Sequence, residues 1–162
     1  MHLNQPDFEH LLALRAGLRR FFHWSEQQAR AAGLTPSQHQ LLLAIRGHPD
    51  PSGPTVGEVA DYLVLRHHSA VGLIDRAVAA GLVVRTPDPD SRSSVRLALT
   101  SVGLDKLDAL SETHLDELRH LAPAMRSLWQ VLETDEANQT DGSPGHIAPG
   151  LEPRSLAPLS RR

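Results

Sequence analysis

TVGEVADYLVLRHHSAVGLIDRAVAAGLVVRTPDPDSRSSVRLALT, residues 55–100, changes its apolar period twice. Thr55 can cap a helix and Glu58, three residues on, can close the capping box. Val59, Ala60 and Leu63 then form the buried side of a short helix, and a tight turn follows at Val64 to Arg66. From about His67 to Ala80 the apolar residues Ala70, Leu73, Ile74 and Ala77 recur at helical spacing. Gly81 stands where a left-handed residue ends a helix. Beyond it the period drops to two. Leu82 and Val84 alternate with Val83 and Arg85, and Val95, Leu97 and Leu99 with Arg96 and Ala98. Between them lies PDPDSRSS, where Pro87 and Pro89 have no N–H to give a ladder. The stretch predicts helix, tight turn, helix and a hairpin with a long loop, which is a winged helix-turn-helix.

The flanks extend the pattern with helices. Upstream, residues 7–32 carry Phe8, Leu11, Leu12, Leu18, Phe21 and Phe22 at helical spacing, with Pro6 suited to the first turn and Gly33 after the end. TPSQ opens a second helix, with Thr35 as cap, Pro36 in the first turn and Gln38 closing the box; it stops at Gly47 before the loop HPDPSGP. Downstream, Thr100 caps a long helix from about Ser101 to Leu121. Pro123 is expected to break it, leaving a last short helix with Met125, Leu128, Trp129 and Leu132. The fold class is mainly α with a small β-hairpin wing. Residues 1–134 form one unit, and 135–162, rich in Pro, Gly, Ser and polar residues without period, read as a disordered tail.

Composition removes several functions. The chain of 162 residues has no cysteine, which excludes disulfides, zinc–thiolate sites and thiol redox sensing. No apolar run is long enough to span a bilayer and the N-terminus is polar, so a soluble, cytoplasmic protein is expected. P-loop, GxGxxG, HExxH and GxSxG motifs are absent, and no enzyme is expected. Net charge is −3, but charge is uneven: residues 66–96 carry five Arg against three Asp, and residues 100–136 three bases against eight acids. The basic part coincides with the second helix of the pair and the hairpin, the two elements that must meet a groove and a backbone if the ligand is duplex DNA. Arg66, His67, His68, Ser69, Gly72 and Arg76 lie at the start and along one edge of that helix, and Arg92 sits on the hairpin tip. These are the candidate DNA contacts. Imidazolium at His67 and His68 would be favoured beside phosphates, so DNA affinity should fall as pH rises from about 6 to 8. Asp75 is expected to be structural, paired with a neighbouring arginine or capping backbone, and Asp88 and Asp90 to shape turns in the hairpin.

LTPSQHQLLLAI, LIDR before AAGLVVR, and PDPDSR before LALT together resemble MarR-type transcriptional regulators, from about Leu34 to Leu110. The resemblance implies an obligate homodimer. Its long N- and C-terminal helices, here about 7–32 and 101–133, would interlock as dimerisation helices. Each protomer would offer one winged helix to a half-site, about 10 bp from the next. It also implies a DNA-binding regulator, a repressor, released by a small, often aromatic, ligand bound between the dimer helices and the winged helix. Phe21, Trp24 and His39 are the candidate pocket residues. Core and interface packing is the role that suits them better. No cofactor and no metal are expected, although a metal-responsive regulator using His39 with His114 or His120 is an alternative. A winged helix that binds protein and not DNA is another, but it would want an apolar stripe where this chain has Arg, His, Ser and Asp. The sequence departs from the family at the wing: the usual Asp and Arg positions fall on Ser91 and Ser93, with Asp90 and Arg92 each one residue earlier. It also has Gly72 where a larger side chain is common.

Overall fold

Three of the helices begin with the same local device. In each, a side-chain oxygen accepts the N–H three residues on, and that residue's side chain accepts the cap's own N–H. The pairs are Asn4 with Asp7, Thr35 with Gln38 and Thr55 with Glu58. The boxes at Thr35 and Thr55 are as the sequence predicts; the one at Asn4 starts the first helix two residues earlier than its apolar pattern does. The computed structural model describes residues 4–89, 91 and 94–139, in backbone alone for 121 and 123–139. Within them the order is α1 (Gln5–Ala31), α2 (Pro36–Arg46), α3 (Val56–Tyr62), α4 (His67–Ala79), β1 (Val83–Pro87), β2 (Val95–Leu99) and α5 (Ser101–Gln139).

β1 and β2 pair antiparallel, from Val83 opposite Leu99 to Pro87 opposite Val95, so the proline takes the open end of the ladder. The loop before α3 supplies a short third edge that the sequence pattern did not reveal. Leu97 N–H donates to the Pro54 carbonyl at 3.0 Å, and Thr55 bridges to Arg96. Gly53 makes this approach possible: its φ is +83°, and a Cβ there would overlap the Leu97 carbonyl.

Leu41, Leu42, Ile45, Val59, Leu73, Ile74, Leu97 and Leu107 are buried together, so α2, α3, α4, β2 and the start of α5 share one core. Each such side chain contributes roughly 1.5–3 kcal/mol of transfer free energy. At the exit of α4, Gly81 adopts φ +69°, as expected. The Thr100 hydroxyl donates to the Gly81 carbonyl at 2.7 Å and accepts the Gly103 N–H at 3.0 Å, so one residue both caps α5 and ties it to the end of α4.

One expectation is corrected. Pro123 does not break the last helix; α5 runs without interruption to Gln139, past the expected boundary at 134. A proline deletes one i to i−4 hydrogen bond, about 3 kcal/mol in a helix interior. That cost is local, and the backbone on either side keeps its own bonds. The residues expected to form a separate short helix lie on the same α5. Residues 140–162, the rest of the expected tail, lie outside the described residues.

The long helices are incompletely covered. Along the 27 residues of α1, only Ser25 and Ala29 are buried. Phe8, Leu12 and Phe22 are more than half exposed, at 53%, 69% and 55%, and Leu115 of α5 matches them at 53%. No helix among the described residues is long and apolar enough to cross a membrane.

Candidate nucleic-acid interface

α4 turns Ala70, Leu73, Ile74 and Ala77 into the core, which forces the other edge outward. Arg66, His67, His68 and Arg76 are exposed, and Ser69 and Gly72 half-buried beside them. Arg66 occupies the cap position without a side-chain cap bond, since a guanidinium has no acceptor to offer the N–H groups there. Among the described residues neither Arg66 nor Arg76 forms an ion pair. At Gly72 an added Cβ would meet only the Arg76 guanidinium, at 3.5 Å, so the protein's own packing does not require glycine there.

The other arginines of the basic stretch are committed elsewhere. Arg85 donates to Asp75 at 2.6 Å, which is the first of the two structural roles expected for that acid. Arg96 is 14% exposed; its Nε donates to Asp88 at 3.0 Å and its Nη1 to the Gly53 carbonyl at 3.0 Å. Asp50 and Glu58 lie 3.5 and 3.8 Å from the same guanidinium. The excess charge counted from the sequence therefore overstates the cations open to a ligand. Asp88 holds Arg96 rather than merely shaping a turn. Arg92, Ser93 and Asp90 lie outside the described residues, so the expected tip contact has no geometry here.

A second feature lies between α1 and the winged lobe. It is an open cleft of about 390 Å³ walled by Phe22 and Ser25 of α1, His39 and Gln40 of α2, Tyr62 of α3 and Leu73 of α4. Of the three expected pocket residues, His39 lines it. Phe21 and Trp24 stand one ring further back, against His114 at 6.1 and 4.9 Å between centroids; His114 in turn is 4.7 Å from His39. His114 is held from both sides. One ring nitrogen donates to the Leu110 carbonyl at 2.7 Å, and the other meets the Ser25 hydroxyl at 2.7 Å. His39 is 4% exposed, and burial, followed by the charge of His114, lowers its pKa. Among the described residues no three His, Asp or Glu side chains converge as a metal site would need. His120, the alternative metal ligand, is exposed on α5. Phe22 and Tyr62 were not singled out from the sequence. Phe22 stands in the apolar stripe of the first helix, and Tyr62 carries no pattern of its own.

Residues 32–92 match the MarR family, and they contain α2, α3, α4 and the first strand of the wing. Over this segment the chain is similar to MarR-family proteins. A transcriptional activatory protein, BadR, of Rhodopseudomonas palustris is 32% identical over 82 residues. That match covers 51% of this chain, which spans about half the length, 47%, of this relative. Among solved structures, the transcriptional repressor CouR bound to a 23-mer DNA duplex is 28% identical, with a TM-score of 0.60 over 84% of this chain and 99% of that one. A MarR family protein from Bacillus stearothermophilus is 20% identical, with a TM-score of 0.65 over 86% of this chain and all of its own. The MarR architecture thus extends beyond the matched segment to α1 and α5.

Proposed function

We propose that this chain is a homodimeric, sequence-specific DNA-binding transcriptional regulator, acting as a repressor that a small ligand releases. The observation that carries the reading is the outward edge of α4, where Arg66 and Arg76 have no acidic partner among the described residues while Arg85 and Arg96 nearby are neutralised. Guanidinium groups left open on a groove-sized helix suit phosphate oxygens and the O6/N7 edge of guanine. His67, His68 and Ser69 start the same helix and would meet bases or phosphates at its entry. Gly72, not demanded by internal packing, would let the helix backbone approach the duplex. Arg92 on the wing would add a flanking contact.

Two features support the other parts of the reading. The exposed apolar residues of α1 and α5 suit a dimer interface. The cleft's size falls in the range of small-molecule sites, and its rings alternate with His39, Gln40 and Ser25, which suits a small aromatic ligand with a polar end. The repressor named above matches over nearly its whole length and the activatory protein over half, which favours repression.

The test is fluorescence anisotropy with duplex DNA from the promoter beside the protein's own gene, over a salt series. Binding in the nanomolar range that weakens steeply with salt is expected, with a slope shallower by about one in Arg92→Ala. No binding to this or random duplex at low salt overturns the reading.

A further inference from the structure

The cleft and the base of the wing are joined by a series of polar side chains, in which Tyr62–His48 and Arg96–Asp88 are hydrogen-bonded and the links through Glu58 are contacts of 3.9 and 3.8 Å. Tyr62 lines the cleft with its ring, and its hydroxyl meets Nδ1 of His48 at 2.9 Å. The His48 side chain is 5% exposed, and its other nitrogen faces the Glu58 carboxylate at 3.9 Å. At 3.9 Å this is a charge-range contact and not a hydrogen bond, and the direction of the bond between Nδ1 and the tyrosine hydroxyl follows the tautomer of the ring. Glu58 accepts the Thr55 N–H and hydroxyl at 2.7 and 2.9 Å, and the Arg96 guanidinium lies 3.8 Å away. Hydrogen bonds from Thr55, with the nearby charges of His48 and Arg96, keep the Glu58 carboxyl below its ordinary range. Arg96 grips Asp88 at the neck of the wing and the Gly53 carbonyl in the loop before α3. The Asp88 side chain is 5% exposed, so this last pair is shielded from water.

A lock that only held the wing would need Asp88, Arg96 and Gly53. The extension through Glu58 and His48 reaches Tyr62, which is half exposed and buries little by being held there. We propose that Arg96 is the positioning residue of the wing and that Tyr62 and His48 make its grip depend on whether the cleft is filled. This inference rests on the reading of the cleft as a ligand site and the wing as a DNA contact. An occupant that turns the Tyr62 ring takes its hydroxyl from His48. His48 then shifts on Glu58, Glu58 redistributes between Thr55 and Arg96, and the wing loosens. The occupant thereby favours the state with the looser wing, which is the differential interaction a switch requires.

The absence of cysteine permits a test without the natural ligand. Ser37 is exposed at the mouth of the cleft, so Ser37→Cys labelled with pyrene maleimide fills it. Hydrogen exchange of the wing amides is followed in the free dimer, and hydroxyl-radical footprinting on the promoter duplex. Labelling should speed exchange of the Thr86 and Arg96 amides by about tenfold and remove flanking minor-groove protection while the major-groove pattern remains. Tyr62→Phe, unlabelled, should already show the faster exchange, and labelling Ser37→Cys/Tyr62→Phe should add less than about twofold. Asp88→Asn should loosen the wing whether or not the cleft is filled. Equal label effects with and without Tyr62→Phe, or an unchanged wing in both, overturn the proposal. Failure of all forms to bind DNA would overturn the functional reading instead, and the exchange rates would still decide the coupling.

Discussion

The winged lobe and the long helices treat their apolar residues differently. In the lobe Leu41, Leu42, Val59, Ile74 and Leu97 have no exposure above 1%, whereas Phe8, Leu12, Phe22 and Leu115 on the long helices are each more than half exposed. The lobe completes its core within one chain; α1 and α5 do not. The same division appears in the charges. Arg85 and Arg96 in the hairpin are paired, while Arg66 and Arg76 on α4 are open to solvent. Burial and pairing mark what the chain does for itself. Exposed apolar surface and unpaired cations mark what it offers to something else.

The largest expected effect breaks the comparison at the long helices. Leu11→Asp/Leu12→Asp should leave the lobe folded but convert the dimer to monomer in sedimentation velocity. Losing the second half-site should weaken operator binding by about 100-fold or more. A monomeric wild type of unchanged DNA affinity would show that the exposed stripe serves something else. Next, Leu97→Ala should cost roughly 2–5 kcal/mol in urea unfolding, because the site is closed on all sides and cannot collapse. A loss below about 1 kcal/mol would mean the lobe core is looser than its burial indicates.

The charge comparison is sharpened by paired substitutions. Arg66→Ala or Arg76→Ala should each weaken DNA binding by about 5- to 30-fold and lower the salt slope by about one, while Arg85→Ala should change it by less than about twofold. Equal effects at all three positions would erase the distinction between open and committed cations. His39 adds a pH dependence to the seam between the two regions. Its folded pKa is lowered, first by burial and then by His114, so the unfolded chain binds the proton more readily. Its contribution is fully present at high pH and is lost as pH falls from about 6.5 toward the folded value. Urea unfolding of His39→Gln should lose part of that acid-side slope; an unaltered slope would remove His39 from the account.

The smallest effect concerns the turn between α3 and α4. Val64 holds φ 52° while 86% exposed, a left-handed backbone that a β-branched side chain resists. Val64→Gly should raise stability by up to about 1 kcal/mol, as strain relief competes with glycine's extra unfolded-state entropy. A destabilised variant would show that the valine contributes more than its exposure suggests.

Much of this was present in residue order. Capping boxes at Thr35 and Thr55, the 3.6-residue stripe of α4, Gly81 and the alternation around PDPDSRSS determined the winged helix-turn-helix and the outward edge of its second helix. These signals are local: a cap, a period or a left-handed residue is complete within a few positions. Pro123 misled because its effect is local as well, one missing bond in a helix that continues. Only tertiary structure decided which charges are free. Arg96 looks like any basic strand residue until the fold brings Asp88, Glu58, Asp50 and the Gly53 carbonyl around it. The same holds for the cleft. Tyr62 and His48 carry no spacing that marks them, and the spacing of Phe22 marks only an apolar stripe, because their place in the cleft comes from elements distant in sequence. The chain alone determines what each segment prefers to be. Packing determines which side chains are already satisfied, and so which remain open to another molecule.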